Sequence, residues 1–107
     1  MERLKNIQFR KQKLQELLNC IQSHESEIIE ALYKDFKKSA FESYATEIAI
    51  VYDELKHTIK NIKSWAKPKK VLPSILNLPS SDFIYSEPYG KVLVISPWNY
   101  PFQLDRK

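Results

Sequence analysis

Apolar residues recur at steps of three and four from Glu2 to about Ile21, at Leu4, Ile7, Leu14, Leu17, Leu18 and Ile21, among Lys, Arg, Gln and Glu. That spacing predicts an amphipathic first helix. Ser23 is placed to cap a second helix whose apolar face is Ile28, Ile29, Leu32 and Phe36, closing at Lys37-Lys38-Ser39. Ser39-Ala40-Phe41-Glu42 then has the form of a capping box, in which the serine accepts from the Glu42 backbone while the glutamate reaches back. It opens the strongest periodic run in the chain, from Phe41 and Tyr44 through Ile48, Val51, Tyr52 and Leu55 to Trp65, which Pro68 stops. At 1.5 Å per residue this third helix is roughly 40 Å long, more than a small independent domain normally uses.

The texture then changes. Between Lys67 and Asp82, Pro68, Pro73 and Pro79 forbid a continuous helix and predict an extended connector. Val71, Leu72, Ile75, Leu76 and Leu78 make it too apolar for a free linker, so it is expected to lie along another surface. Asp82 to Glu87 is β-prone, Pro88-Tyr89-Gly90 turns the chain, and Lys91 to Ser96 is expected as a strand. Val92 to Ile95 form an unbroken apolar run, as in parallel strands covered on both faces, whose ligands bind at their carboxyl ends. The strand runs into Pro97-Trp98-Asn99-Tyr100-Pro101, a corner held by two prolines. The expected organisation is a helical region (1–67), a Pro-rich connector (68–81) and a strand-turn-strand unit (82–107). One or two strands and three helices do not cover both faces of a doubly wound sheet, so the chain reads as the opening of a larger α/β fold.

Composition narrows the chemistry. A chain of 107 residues buries only about two thirds of the surface its unfolded form exposes, which allows one modest core. Gly90 is the single glycine, whereas a finished dinucleotide site spends several on phosphate turns. Seventeen basic residues against thirteen acidic ones give a net charge of +4, with most of the charges interleaved as on a solvated surface. One cysteine, Cys20, excludes an intrachain disulfide, and its place beside Leu18 and Ile21 reads as a buried, inert thiol. His24 and His57 have no metal-ligand spacing, so no metal site is expected. Glu42, Glu47 and Glu54 read as solvated or capping groups on helical surfaces. No apolar run approaches a membrane span, and the start lacks the apolar core of a signal peptide, so a soluble, cytoplasmic protein is expected.

Glu87-Pro-Tyr-Gly-Lys-Val-Leu-Val-Ile-Ser-Pro-Trp-Asn-Tyr-Pro-Phe-Gln-Leu104 resembles the segment of aldehyde dehydrogenases, especially the class 3 and fatty-aldehyde branch, that supplies an oxyanion-stabilising asparagine. Lys34-Asp35 and the stretch Glu42 to Ile48 are also similar to that family. The order of parts is similar to the start of such enzymes over nearly all of residues 1 to 104. The resemblance implies an incomplete Rossmann-like cofactor domain and NAD(P)-dependent oxidation of aldehydes to carboxylic acids through a thiohemiacetal. It implies that Asn99 is the oxyanion donor, that Ile95, Ser96, Pro97 and Trp98 line the NAD or NADP cleft, and that Tyr100 lies near the substrate passage. It further implies an aldehyde substrate and a homodimer for the full-length enzyme. The family's nucleophilic cysteine, its general-base glutamate and its adenosine-ribose lysine belong beyond residue 107, so the chain alone is expected to be inactive. Asp105-Arg106-Lys107 departs from the small apolar helix that the resemblance implies there, as a truncated product, an interrupted coding sequence or an engineered boundary would each do.

Blander readings compete. Asn99 is also a common turn-former after a strand, and Trp98 also suits simple core packing. The alternative for the whole chain is a helical interaction module that docks on another polypeptide through its apolar stripes. Lys37, Lys38, Lys67, Lys69 and Lys70, with little aromatic interleaving, make a poor nucleic-acid signature, and no nucleic-acid partner is expected.

Overall fold

Asn6 opens the helical part: its extended backbone and side-chain oxygen, accepting from the amides of Gln8 at 2.9 Å and Phe9 at 3.2 Å, cap helix α1, Ile7–Ser23. The computed structural model describes residues 6–95 and 97–104. The expected helical residues before Asn6, Ser96, and Asp105-Arg106-Lys107 lie outside the described residues. Ser23 does not cap the second helix as expected. It is the last residue of α1, where its hydroxyl donates to the Cys20 carbonyl, and His24 separates α1 from α2, Glu25–Phe36. The Ser23 hydroxyl is turned back along α1, and the N-cap position of α2 falls on His24, whose side chain makes no capping bond.

Lys37 ends α2 in the left-handed conformation (φ 57°), reversing the chain so that Ser39 can start again. Ser39 Oγ accepts from Glu42 N–H at 3.2 Å, as the capping-box pattern predicts, and α3 (Ala40–Ser43) follows. The long periodic run is helical throughout, with one interruption. Tyr44–Ile48 forms a π-helical turn, in which the Ala49 amide bonds to the Tyr44 carbonyl, before α4 continues over Ala49–Trp65.

The core forms where α1 crosses α4. Leu18 and Ile21 pack against Ile48, Val51, Tyr52 and Leu55, and Ile28, Ile29 and Phe102 close on them. Burying side chains of this size contributes about 1.5–3 kcal/mol each. Tyr52 fixes α2 against α4 by donating its hydroxyl to Glu25 Oε2 at 2.6 Å.

The connector differs from the sequence expectation. Lys69–Val71 forms β1, which pairs antiparallel with β2, Asp82–Ile84, in the register Lys69 to Ile84, Lys70 to Phe83 and Val71 to Asp82. A Lys-Lys pair behind a proline gave no strand signal, because the pairing is supplied by a segment a dozen residues away. The expected strand from Lys91 to Ser96 does not form over the described residues Lys91 to Ile95. Val92, Leu93 and Ile95 are 69%, 87% and 86% exposed. An apolar run becomes a buried strand only when neighbours accept its amides and cover its faces, and β1 and β2 are engaged with each other. The Cα radius of gyration, 18.9 Å, is correspondingly well above the roughly 13 Å of a compact domain of this length.

Burial and the Glu25 carboxylate, with a smaller effect from Tyr44, raise the Tyr52 pKa above the ordinary phenol value of 10.0. The neutral phenol is therefore favoured in the native state, and its contribution is complete below the unfolded pKa and lost as pH rises through the native one. Urea unfolding followed from pH 8 upward should show stability falling beyond about pH 10, with a shallower fall in Tyr52→Phe.

Candidate functional site

Pro97, Trp98 and Asn99 stand on an exposed turn, with Trp98 87% exposed, and Tyr100 is partly covered. Core packing is therefore not what Trp98 does within this chain. Ile95, Pro97, Trp98, Asn99 and Tyr100 are brought together as consecutive positions of one corner, and Ser96, expected among them, lies outside the described residues. Upstream, Gly90 takes φ 93°, a left-handed backbone that other residues rarely adopt, so the expected Pro88-Tyr89-Gly90 turn needs its glycine.

Directly after the corner comes α5, Pro101–Leu104. Proline suits the first helical position because it has no amide to leave unpaired. The next two amides, of Phe102 and Gln103, are the ones a short capping side chain normally satisfies, and Tyr100 carries no such acceptor. Glu47 supplies it from the π-helical turn: its Oε2 accepts from Phe102 N–H at 3.0 Å and from Gln103 N–H at 3.4 Å. Its Oε1 accepts from Lys38 Nζ. The same ammonium lies 4.5 Å from the centroid of the Tyr100 ring and 5.8 Å from that of Phe36.

Of the two roles expected for Glu47, solvated or capping, the structure shows the second: it is wholly buried, ion-paired and caps α5. Lys38 is turned inward, its side chain 11% exposed, as the weak nucleic-acid signature allows. One expectation is corrected. Cys20 is not buried but faces solvent, with Sγ 3.9 Å from His24 Nδ1. Helical periodicity assigned Cys20 to the apolar face by its neighbours, whereas the helix turns it outward. The Glu47 arrangement left a faint trace in sequence, a glutamate between Tyr44 and Ile48 on the apolar face, but the π-helical turn that holds it has no pattern of its own. No cluster of three or more His, Cys, Asp or Glu suited to a metal is found among the described residues. An apolar groove lined by Leu14, Leu17, Ile50, Val51, Leu55 and Gln103 borders the helices but includes no residue of the corner itself.

Comparison with known proteins decides the family. A profile of the Aldehyde dehydrogenase family matches residues 3–105. The chain belongs to the aldehyde dehydrogenase family. It is 47% identical over 103 residues to 4,4'-diaponeurosporen-aldehyde dehydrogenase of Staphylococcus aureus, covering 96% of this chain and 22% of that protein. It is 44% identical over 100 residues to an aldehyde dehydrogenase of Craterostigma plantagineum, covering 94% and 21%. With aldehyde dehydrogenase family 3 member B1 of Rattus norvegicus it shares 41% identity over 102 residues, 95% of this chain and 22% of that one. A solved structure described as the substrate-bound state of Staphylococcus aureus AldH superposes with a TM-score of 0.86 at 47% identity, covering 92% of this chain and 22% of that one. The chain thus spans about a fifth of the length of these aldehyde dehydrogenases, and the match lies in their N-terminal part. The helices and two short strands are part of an incomplete α/β arrangement, as the family resemblance implied.

The buried pair makes a measurable demand on stability. Lys38→Met leaves an uncompensated carboxylate in the core and should destabilise the chain by about 3 kcal/mol. Adding Glu47→Gln should restore most of that, because a neutral amide oxygen still accepts from Phe102 and Gln103. Urea denaturation of the single and double variants checks the difference.

Proposed function

We propose that the corner is the oxyanion-stabilising element of an NAD(P)-dependent aldehyde dehydrogenase, with Asn99 as the donor. The observation that carries the reading is the intact Pro-Trp-Asn-Tyr-Pro-Phe turn, exposed at Asn99 and tied to the helical core at Phe102. When a thiolate adds to an aldehyde, negative charge collects on the former carbonyl oxygen. A neutral carboxamide N–H aimed at that oxygen stabilises the charge without offering a proton to the wrong atom.

Ile95 and Trp98, apolar and open to solvent, and Pro97, which has no amide to leave unpaired, suit one wall of a nicotinamide cleft. Ser96 belongs to the same wall by resemblance. The phosphates are not provided for here: Gly90 is the single glycine, and it lies in the preceding turn. When bound, NAD or NADP supplies the hydride acceptor for oxidation of the thiohemiacetal to the acid. Tyr100, which lies beside Lys38, borders the aldehyde passage in this reading, by resemblance. The organisation into residues 1–67, 68–81 and 82–107, the homodimer and a cytoplasmic location belong to this same reading. No helix among the described residues is long and apolar enough to cross a membrane.

Cys20, the single cysteine, lies in α1 and faces solvent. The 107 residues by themselves should therefore not turn over aldehydes. Reduced-cofactor absorbance that rises with the purified chain, and is abolished by Cys20→Ser, would overturn this. Docking on a separate polypeptide is the second reading, favoured by Leu72 and Leu76 at 96% and 93% exposure. Stable binding to an otherwise complete aldehyde dehydrogenase would support it.

In an enzyme joining residues 3–105 to the remainder of the Staphylococcus aureus relative, Asn99→Ala should lower kcat about a hundredfold with cofactor affinity nearly intact. Trp98→Ala should instead weaken cofactor binding first, because it removes packing area rather than a donor. If Asn99→Ala alters only the cofactor dissociation constant, Asn99 is a structural corner residue.

A further inference from the structure

We infer that Glu47 is the positioning residue of the corner, holding the backbone on the far side of Asn99 from a site 52 residues earlier in sequence. This rests on the proposed role of Asn99 and adds a residue that acts through it. Two contacts hold the residues that follow the asparagine. Lys38, paired to Glu47, lies against the Tyr100 ring on one side of the helix start, and the Glu47 carboxylate takes the Phe102 and Gln103 amides on the other. Phe102 adds an apolar anchor by packing on the Leu18, Ile48 and Val51 cluster.

The asparagine itself stands on an exposed turn. The direction of its amide therefore depends on how firmly the residues after it are held. A buried carboxylate is costly to keep in a core, and an apolar residue of similar volume is often as stable there. What an apolar residue cannot do is accept two backbone amides and an ammonium at once. Glu47 reaches both from within the π-helical turn Tyr44–Ile48, on the stripe that continues through Val51 and Leu55. Three segments that are distant in sequence are thereby set in one geometry: the αL turn after α2, the π-helical turn and the corner.

A positioning role is separable from plain stabilisation by a double-mutant cycle in the joined enzyme. Glu47→Gln, which keeps an acceptor but loses the Lys38 pair, and Glu47→Ala, which loses both, are each made with and without Asn99→Ala. We expect kcat to fall about tenfold in Glu47→Ala, and less in Glu47→Gln, with cofactor affinity within about twofold. In the Asn99→Ala background the further loss should be under about twofold, since the donor being aimed is gone. Full additivity of the two losses would overturn the proposal.

If Glu47→Ala does not fold, Glu47→Gln and Lys38→Met carry the cycle. Hydrogen exchange of the Phe102 and Gln103 amides in the 107-residue chain tests the holding without catalysis. Faster exchange in Glu47→Ala by about tenfold or more is expected, and unchanged exchange would overturn the proposal. Faster exchange together with an unaltered kcat in Asn99→Ala would leave Glu47 holding the corner and would instead sink the oxyanion reading.

Discussion

A carboxylate without access to water must use its oxygens or neutralise, and at Glu47 that requirement draws distant parts of the chain together. One oxygen takes Lys38 from the turn after α2, and the other takes the first free amides of α5. Without this buried charge the segment after the corner would lose the bonds that fix the Phe102 and Gln103 amides. Apolar packing tolerates sliding, whereas a carboxylate accepting two amides fixes both distance and direction.

The helical part is an assembled scaffold, and the rest is largely uncovered. Leu18, Ile21, Ile48, Val51, Tyr52 and Leu55 form a core that α1, the π-helical turn and α4 complete between them. Leu72, Leu76, Leu93 and Ile95 stand almost wholly in solvent. Exposed apolar side chains of this number are unusual on a self-contained domain. The match to about a fifth of longer aldehyde dehydrogenases is in keeping with that exposure.

The π-helical turn shows how a single extra residue in a helix redistributes chemistry. The wider turn costs one regular hydrogen bond, and within it the glutamate is fully inside, 0% exposed, next to Ile48 at the same exposure. Turns of this kind are frequent at functional sites because they re-aim one side chain while leaving the helix intact on both sides.

Much of this was legible in the sequence, for a simple reason. Helix existence, the Ser39 cap, the Gly90 turn and the break at Pro68 all follow from local periodicity and local backbone chemistry. The motif from Glu87 to Leu104 carried the family, because its prolines, indole and asparagine are unusual in that order. What tertiary structure alone decided is where distant segments meet. The pairing of Lys69–Val71 with Asp82–Ile84, the unpaired state of Val92 to Ile95 and the outward turn of Cys20 depend on neighbours that no local pattern names. The burial of Glu47 depends on them most of all, since a glutamate in a helix looks the same in sequence whether it faces water or closes on amides 55 and 56 positions away.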